Sequence, residues 1–185
     1  MRTAWIIAGV LGLFVLHALV LWGMGQPWIY AGGYVKLWHG VVVSDENSQH
    51  LTDWYSLSHI IHGVLFYALL AWLFPRSPVG VRLLIAMGIE MSWEVFENTD
   101  MIINRYREQA LAQGYFGDSI VNSLGDLACA VLGFLFAWRM PVWASVALII
   151  ALELIALVMI RDGLTLNIIQ LIVPIDAIGT WQAGR

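Results

Sequence analysis

Five stretches of this 185-residue chain stay apolar for about 20 residues each, the length a helix needs to cross the hydrocarbon of a bilayer. Inside lipid every backbone amide must be satisfied within its own segment, so such stretches fold as helices. The first, Ala4–Met24, ends in Trp22-Gly23-Met24-Gly25 without a small-residue cleavage site. It is also longer than the core of a cleavable signal, so it reads as a retained span. The others are expected at about 55–74, 79–103, 118–138 and 142–160. They are closed by Pro75-Arg76-Ser77-Pro78, by the polar connection 108–117, by Arg139 and Pro141, and by Arg161-Asp162-Gly163. Between the first two spans, Trp28, Tyr30, Tyr34 and Trp38 mark a partly interfacial loop. The apolar stretch Leu164–Val173 is too short to span and is expected at the interface or against the other helices. The fold class is therefore all-α: one polytopic transmembrane helix bundle of about five spans, with an interfacial C-terminal segment.

Composition closes the other classes. With 60% hydrophobic and 12% charged residues the chain is neither a water-soluble globule nor disordered. A net charge of −4 and the lack of any Lys/Arg run exclude nucleic acid as a partner, leaving membrane lipids. The single Cys129 permits neither a disulfide framework nor a Cys-x-x-Cys zinc site. Loop basicity orients the bundle only weakly. With the N-terminus in the cytoplasm, Arg2, Arg76, Arg82 and Arg139 lie inside, against Lys36, Arg105, Arg107, Arg161 and Arg185 outside. The short Arg-flanked turns and the acidic first loop (Asp45, Glu46, Asp53) favour that orientation in a bacterial inner membrane.

Three spans carry ionisable residues at helical spacing. The second has His59 and His62, the third Glu90, Glu94 and Glu97, and the fourth Asp118, Asn122 and Asp126. Residues three or four apart share a helix face, so each span presents one polar stripe. The histidines come early in their span, the glutamates late and the aspartates early. Antiparallel packing therefore brings all three stripes to one leaflet, the outer one when the N-terminus is inside. An ionised carboxylate at span depth costs several kcal/mol unless paired, protonated or metal-bound. A divalent metal (Zn, Fe, Mn or Mg) held by His59, His62, Glu90, Glu94, Glu97, Asp118 and Asp126 is one relief. Neutralisation by Arg105, Arg107 and Arg161 from the rim is a second, and protonation a third. Glu94, Glu97, Asp118 and Asn122 are the candidates for catalysis. Arg105 and Arg107 are the candidates for gripping an anionic headgroup. His17, alone on an apolar helix, reads as a hydrogen-bonded packing residue.

Several segments carry a resemblance: Ser48-Gln49-His50-Leu51-Thr52-Asp53-Trp54-Tyr55, Ser58-His59-Ile60-Ile61-His62-Gly63, Glu94-Val95-Phe96-Glu97-Asn98, Asn104-Arg105-Tyr106-Arg107 and Gly117-Asp118-Ser119-Ile120-Val121-Asn122-Ser123. Over nearly its whole length the chain resembles an uncharacterised bacterial family of multi-pass integral membrane proteins, mostly alphaproteobacterial, and the resemblance brings no activity with it. A fainter one is to VanZ-like membrane proteins, through His59, Ile89-Glu90, Arg105 or Arg107, and Asp118, Asn122 and Gly125. Where that family has an Asp-Lys pair before its His, this chain has Tyr55-Ser56, and Glu94, Glu97 and Asp126 are additional. That likeness implies a common helical architecture. Three functional readings follow: a divalent-metal-dependent enzyme acting on a lipid-linked or cell-envelope substrate, an ion- or proton-coupled transporter or cation-binding protein, and a structural or assembly subunit without catalysis.

Overall fold

A computed structural model describes residues 3–184; Arg2 and Arg185, counted for orientation above, lie outside them. The chain forms α1 (Thr3–Gly23), α2 (Ser56–Leu73), α3 (Val79–Glu97), α4 (Asp100–Arg107), α5 (Ile120–Arg139), α6 (Val142–Ile160), α7 (Leu164–Ile172) and α8 (Asp176–Gln182). Among the described residues the only β-type pairing is an isolated bridge between His39 and Asp53. Helices α1, α2, α5 and α6 are each long and apolar enough to cross a membrane. Helix α3 has comparable length but carries Arg82, Glu90, Glu94 and Glu97.

The third of the five expected spans is not one continuous helix over 79–103: α3 stops at Glu97, α4 restarts at Asp100, and α3 is not among the four helices apolar enough to cross by composition. Asn98 breaks it by turning its amide back onto Glu94 O (2.9 Å) while bonding Asp118 Oδ2 (2.7 Å). Thr99 is extended at the N-cap of α4, whose first turn holds Asp100 and whose last holds Arg105 and Arg107, each charge matched to the helix dipole. The C-terminal segment folds back over the same end of the bundle. Leu164 N and Thr165 N at the start of α7 bond the two oxygens of Glu153 on α6 (2.8 and 3.2 Å), which caps the helix with a negative charge.

Helix α5 is the axis. It is the most enclosed of the spans, and α2 lies closest to it. A Cβ built on Gly63 would lie 1.9 Å from Ala130 O, and one on Gly133 2.0 Å from Ile60 O, so only glycine permits this backbone approach. Leu70, Leu83, Ala86, Met87, Leu127 and Phe134 fill the half of the bundle away from the polar stripes. Apolar side chains of α1 and α6, among them Trp5, Leu11, Val142 and Val158, face outward, as a lipid-facing surface requires.

Candidate functional site

The site is built where the early turns of α2 and α5 meet the last turns of α3. On α2, His59 Nδ1 lies 2.5 Å from Glu90 Oε1 and 3.2 Å from Glu94 Oε1. One turn deeper, His62 Nδ1 approaches the same Glu90 carboxylate at 3.2–3.3 Å. Glu90 thus accepts from two imidazoles and fixes the proton of His59 on Nδ1. Nε2 points to the far side of the ring, 3.9 Å from Asp126 Oδ2. Asp126 in turn accepts from Ser56 Oγ (2.5 Å). Asp118 Oδ1 takes the Tyr115 hydroxyl at 3.0 Å, and Asp118 N donates to Asn98 Oδ1 at 2.7 Å.

These groups surround a cavity of about 40 Å³ walled by His59, Glu97, Asp118 and Asp126, with Tyr55, Tyr106 and Tyr115 among the other lining residues. Among the described residues no Lys or Arg contributes to that wall. A space of this size takes an ion or a very few waters. Burial holds the phenols of Tyr106 and Tyr115 well above their ordinary range, so both remain neutral hydroxyl donors. Around the rim, Tyr106 OH meets Asn167 of α7 (3.2 Å) and Tyr55 OH meets Asp162 (3.2 Å). Burial pushes the Asp162 carboxyl up to about 6. Asp53, buried beneath the rim, is also raised by burial, against hydrogen bonds from the amides of Tyr55 (2.8 Å) and Ser48 (3.1 Å).

The three stripes therefore meet, but in two layers. His59, Glu97, Asp118 and Asp126 line the cavity, whereas Glu90, Glu94 and His62 stand behind it as the support of His59. Asn122 is turned away: its amide donates to His50 O (2.7 Å) and anchors the long loop before α2. Arg105 donates to Leu171 O (3.1 Å) and Glu108 (2.9 Å), and Arg107 to Tyr115 O (2.5 Å). Neither arginine reaches Glu97, Asp100 or Asp118, and none of these three acids has an ion-pair partner among the described residues. Arg105 instead lines an outer groove of about 400 Å³ between α4 and α7–α8, and Gln109 lines both this groove and the inner cavity.

Groups of three that could hold a metal ion are His59–His62–Glu90, His59–Glu94–Glu97 and, in the long loop, His39–Glu46–His50. The loop group already has its cation. The Lys36 ammonium sits on Glu46 Oε2, which also accepts from His50 Nε2 (2.8 Å) and Tyr34 OH (3.0 Å). The Lys36 and His50 hydrogen bonds pull the Glu46 carboxyl down to about 2. His50 Nδ1 accepts from Lys36 N (3.2 Å), so the other ring nitrogen carries the proton and has no free lone pair for a metal.

Sequence reasoning did not find Ser48, Tyr106, Tyr115, Gln109 and Asn167 of the cavity wall, nor the buried carboxylate of Asp53. They arrive from loops and from the short helices α4 and α7, which carry no ionisable stripe that points to the site. Tyr55 alone left a signal, one helical turn before His59.

A family model described as "Protein of unknown function (DUF2585)" matches residues 21–184. A UPF0314 protein of Sphingopyxis alaskensis is 51% identical over 183 residues, covering 99% of this chain and 96% of its own length. UPF0314 protein R03235 of Rhizobium meliloti is 52% identical over 180 residues (97% and 91%), and a UPF0314 protein of Paracoccus denitrificans 49% over 172 (93% and 89%). No solved structure matches. The chain belongs to the DUF2585 family, whose curated relatives carry the name UPF0314.

Proposed function

We propose that this inner-membrane protein, its N-terminus in the cytoplasm, holds a divalent cation at the outer-leaflet end of the bundle. There it acts as a hydrolytic or group-transfer enzyme on a lipid-linked or cell-envelope substrate. One observation carries the reading. His59 is held through Nδ1 by Glu90, with Nε2 free beside a 40 Å³ cavity whose other charged residues are Glu97, Asp118 and Asp126. A carboxylate behind a histidine is how metal-ligating imidazoles are oriented, and three acids in a wall with no Lys or Arg among the described residues favour a cation.

His59, Glu97, Asp126 and Asp118 are the donors this wall offers, and His59 and Glu97 share, with Glu94, a group whose donor atoms lie within 4.8 Å of one another. Nitrogen plus oxygen suits Zn, Fe or Mn better than a thiol-seeking ion. Bound there, the ion would polarise a phosphoryl or carbonyl oxygen or lower the pKa of a water. The chain's own groups do the remainder. Tyr115 and Tyr106 donate hydrogen bonds, a carboxylate not engaged by the ion takes a proton, and Arg105 in the outer groove meets an anionic headgroup too large for the inner cavity. Transport would need a continuation toward the opposite face. That half is closed by the α2–α5 backbone contact and by Leu70, Met87 and Phe134.

Elemental analysis of the purified full chain after equilibration with Zn, Mn and Mg tests the cation. We expect near-stoichiometric metal in the wild type and its loss in His59→Ala and Glu97→Gln. A wild type that retains none overturns the reading. Native mass spectrometry of Arg105→Gln tests the headgroup: it should lose co-purifying anionic lipid while keeping its metal.

A further inference from the structure

Where α1 passes the polar half of the bundle it contributes one ionisable group, His17, fully buried on an otherwise apolar helix. Its Nε2 lies 2.7 Å from Ser123 Oγ on α5, and that hydroxyl donates to Glu94 Oε2 on α3 at 2.5 Å. His17 Nδ1 is buried without any partner. This asymmetry decides the tautomer. An orphaned N–H is rarer in proteins than an orphaned acceptor, so the proton belongs on Nε2, pointing at Ser123. The serine oxygen then accepts from His17 and has its own hydrogen to give, and the donation runs one way, from α1 through α5 into α3.

Glu94 is the terminus of that chain. Its Oε2 is satisfied by Ser123, while its Oε1 is buried, has no hydrogen bond, and lies 3.2 Å from His59 Nδ1. A carboxylate fastened by one oxygen presents the other in a fixed direction, here toward His59 and the group His59–Glu94–Glu97. We infer that His17 is a positioning residue. Acting through Ser123, it sets the rotation of the Glu94 carboxylate and so the placement of the imidazole that faces the cavity. The inference rests on the cation reading for its consequence and on the hydrogen-bond chain for its geometry, and the two can fail separately.

The test uses the full chain in detergent with three variants: His17→Leu, which keeps volume and removes the donor; His17→Gln, whose amide N–H reaches about as far as Nε2; and Ser123→Ala, which cuts the chain in its middle. Groups of this kind behind a metal ligand change affinity about 10- to 100-fold. We expect zinc binding weakened by that factor in His17→Leu and Ser123→Ala and largely restored in His17→Gln. A merely structural histidine would instead show affinity falling only with thermal stability, and glutamine no better than leucine; that result overturns the inference. Two readouts need no metal. In protein labelled with ¹⁵N-histidine, the His17 shifts should report the Nε2–H tautomer. The infrared carboxyl band lost in Glu94→Gln should move in His17→Leu. If the wild type binds no zinc but both signatures appear, the cation reading fails and the positioning stands. An Nδ1–H tautomer or an unmoved band removes the positioning itself.

Discussion

The two halves of the bundle are made from the same helices and held together by opposite means. Toward one end, α2, α3 and α5 meet through His59, His62, Glu90, Glu94 and Asp126, enclosed ionisable groups tied together by hydrogen bonds. Toward the other, the same helices meet through Gly63, Ala130, Gly133, Leu70, Met87 and Phe134, backbone against backbone with methyl groups between. The second arrangement is sufficient to join helices in lipid. The first is costlier, because a lone carboxylate there would need to be neutralised. The polar half is therefore not explained by the need to pack alone.

Breaking one partner of the buried cluster should have the largest effect. Glu90→Leu leaves His59 and His62 without their acceptor and should cost about 3–5 kcal/mol in a detergent unfolding measurement. Losing less than Gly63 does would mean the two halves obey one rule. Gly63→Val, in the apolar half, drives a side chain into the Ala130 carbonyl and should cost about 3 kcal/mol, without pH dependence. At the rim the effect becomes a matter of pH. Asp162 has its carboxyl pushed up to about 6 by burial, so the folded protein holds a proton that the unfolded chain has already released. Stability should then fall as pH rises from about 4 to 6, by on the order of 2 kcal/mol, and Asp162→Asn should flatten that slope. An opposite slope would mean Asp162 is stabilised as an anion. The smallest change sharpens the comparison most. Ser48 lies in the cavity wall with φ 59°, and the other non-glycine residue in this conformation among those described, Arg161, is also at the polar end. Ser48→Gly should raise thermal stability slightly, by under about 1 kcal/mol, as strain is relieved.

The difference between the halves also governs what could be read from the sequence. Helical stripes at His59/His62, at Glu90/Glu94/Glu97 and at Asp118/Asp126 follow from periodicity within one helix, and antiparallel order sets their depth. The layering is not periodic: whether Glu94 lines the cavity or supports His59 depends on the rotation of α3 against α5, where Ser123 holds the Glu94 carboxylate. His17 had no same-helix neighbour to give it away. The break at Asn98-Thr99 did leave a signal, an N-cap threonine followed by an acid, but it lay inside an apolar run and was overshadowed by span length. Arg105 and Arg107 were expected against the acids because opposite charges attract. They bond main-chain carbonyls of Leu171 and Tyr115, partners that no charge count reveals, and the one acid either meets is Glu108, which Arg105 pairs with at the surface.

Helix α3 has a consequence for how the protein is made. A charged residue at the centre of an inserting helix costs about 2.5–3.5 kcal/mol, and α3 carries Arg82 and three glutamates over 19 residues. Leaving the ribosome alone, it would be a poor candidate for release sideways into lipid. Helix α2 precedes it by a short turn, Phe74–Pro78, and brings His59 and His62 to Glu90. The hairpin is the smallest unit in which that glutamate is already answered. Insertion should thus proceed by pairs, with α2 held at the translocation channel until α3 emerges beside it, and a chain whose His59 and His62 are both apolar would misplace its third helix during synthesis rather than merely fold less tightly afterwards.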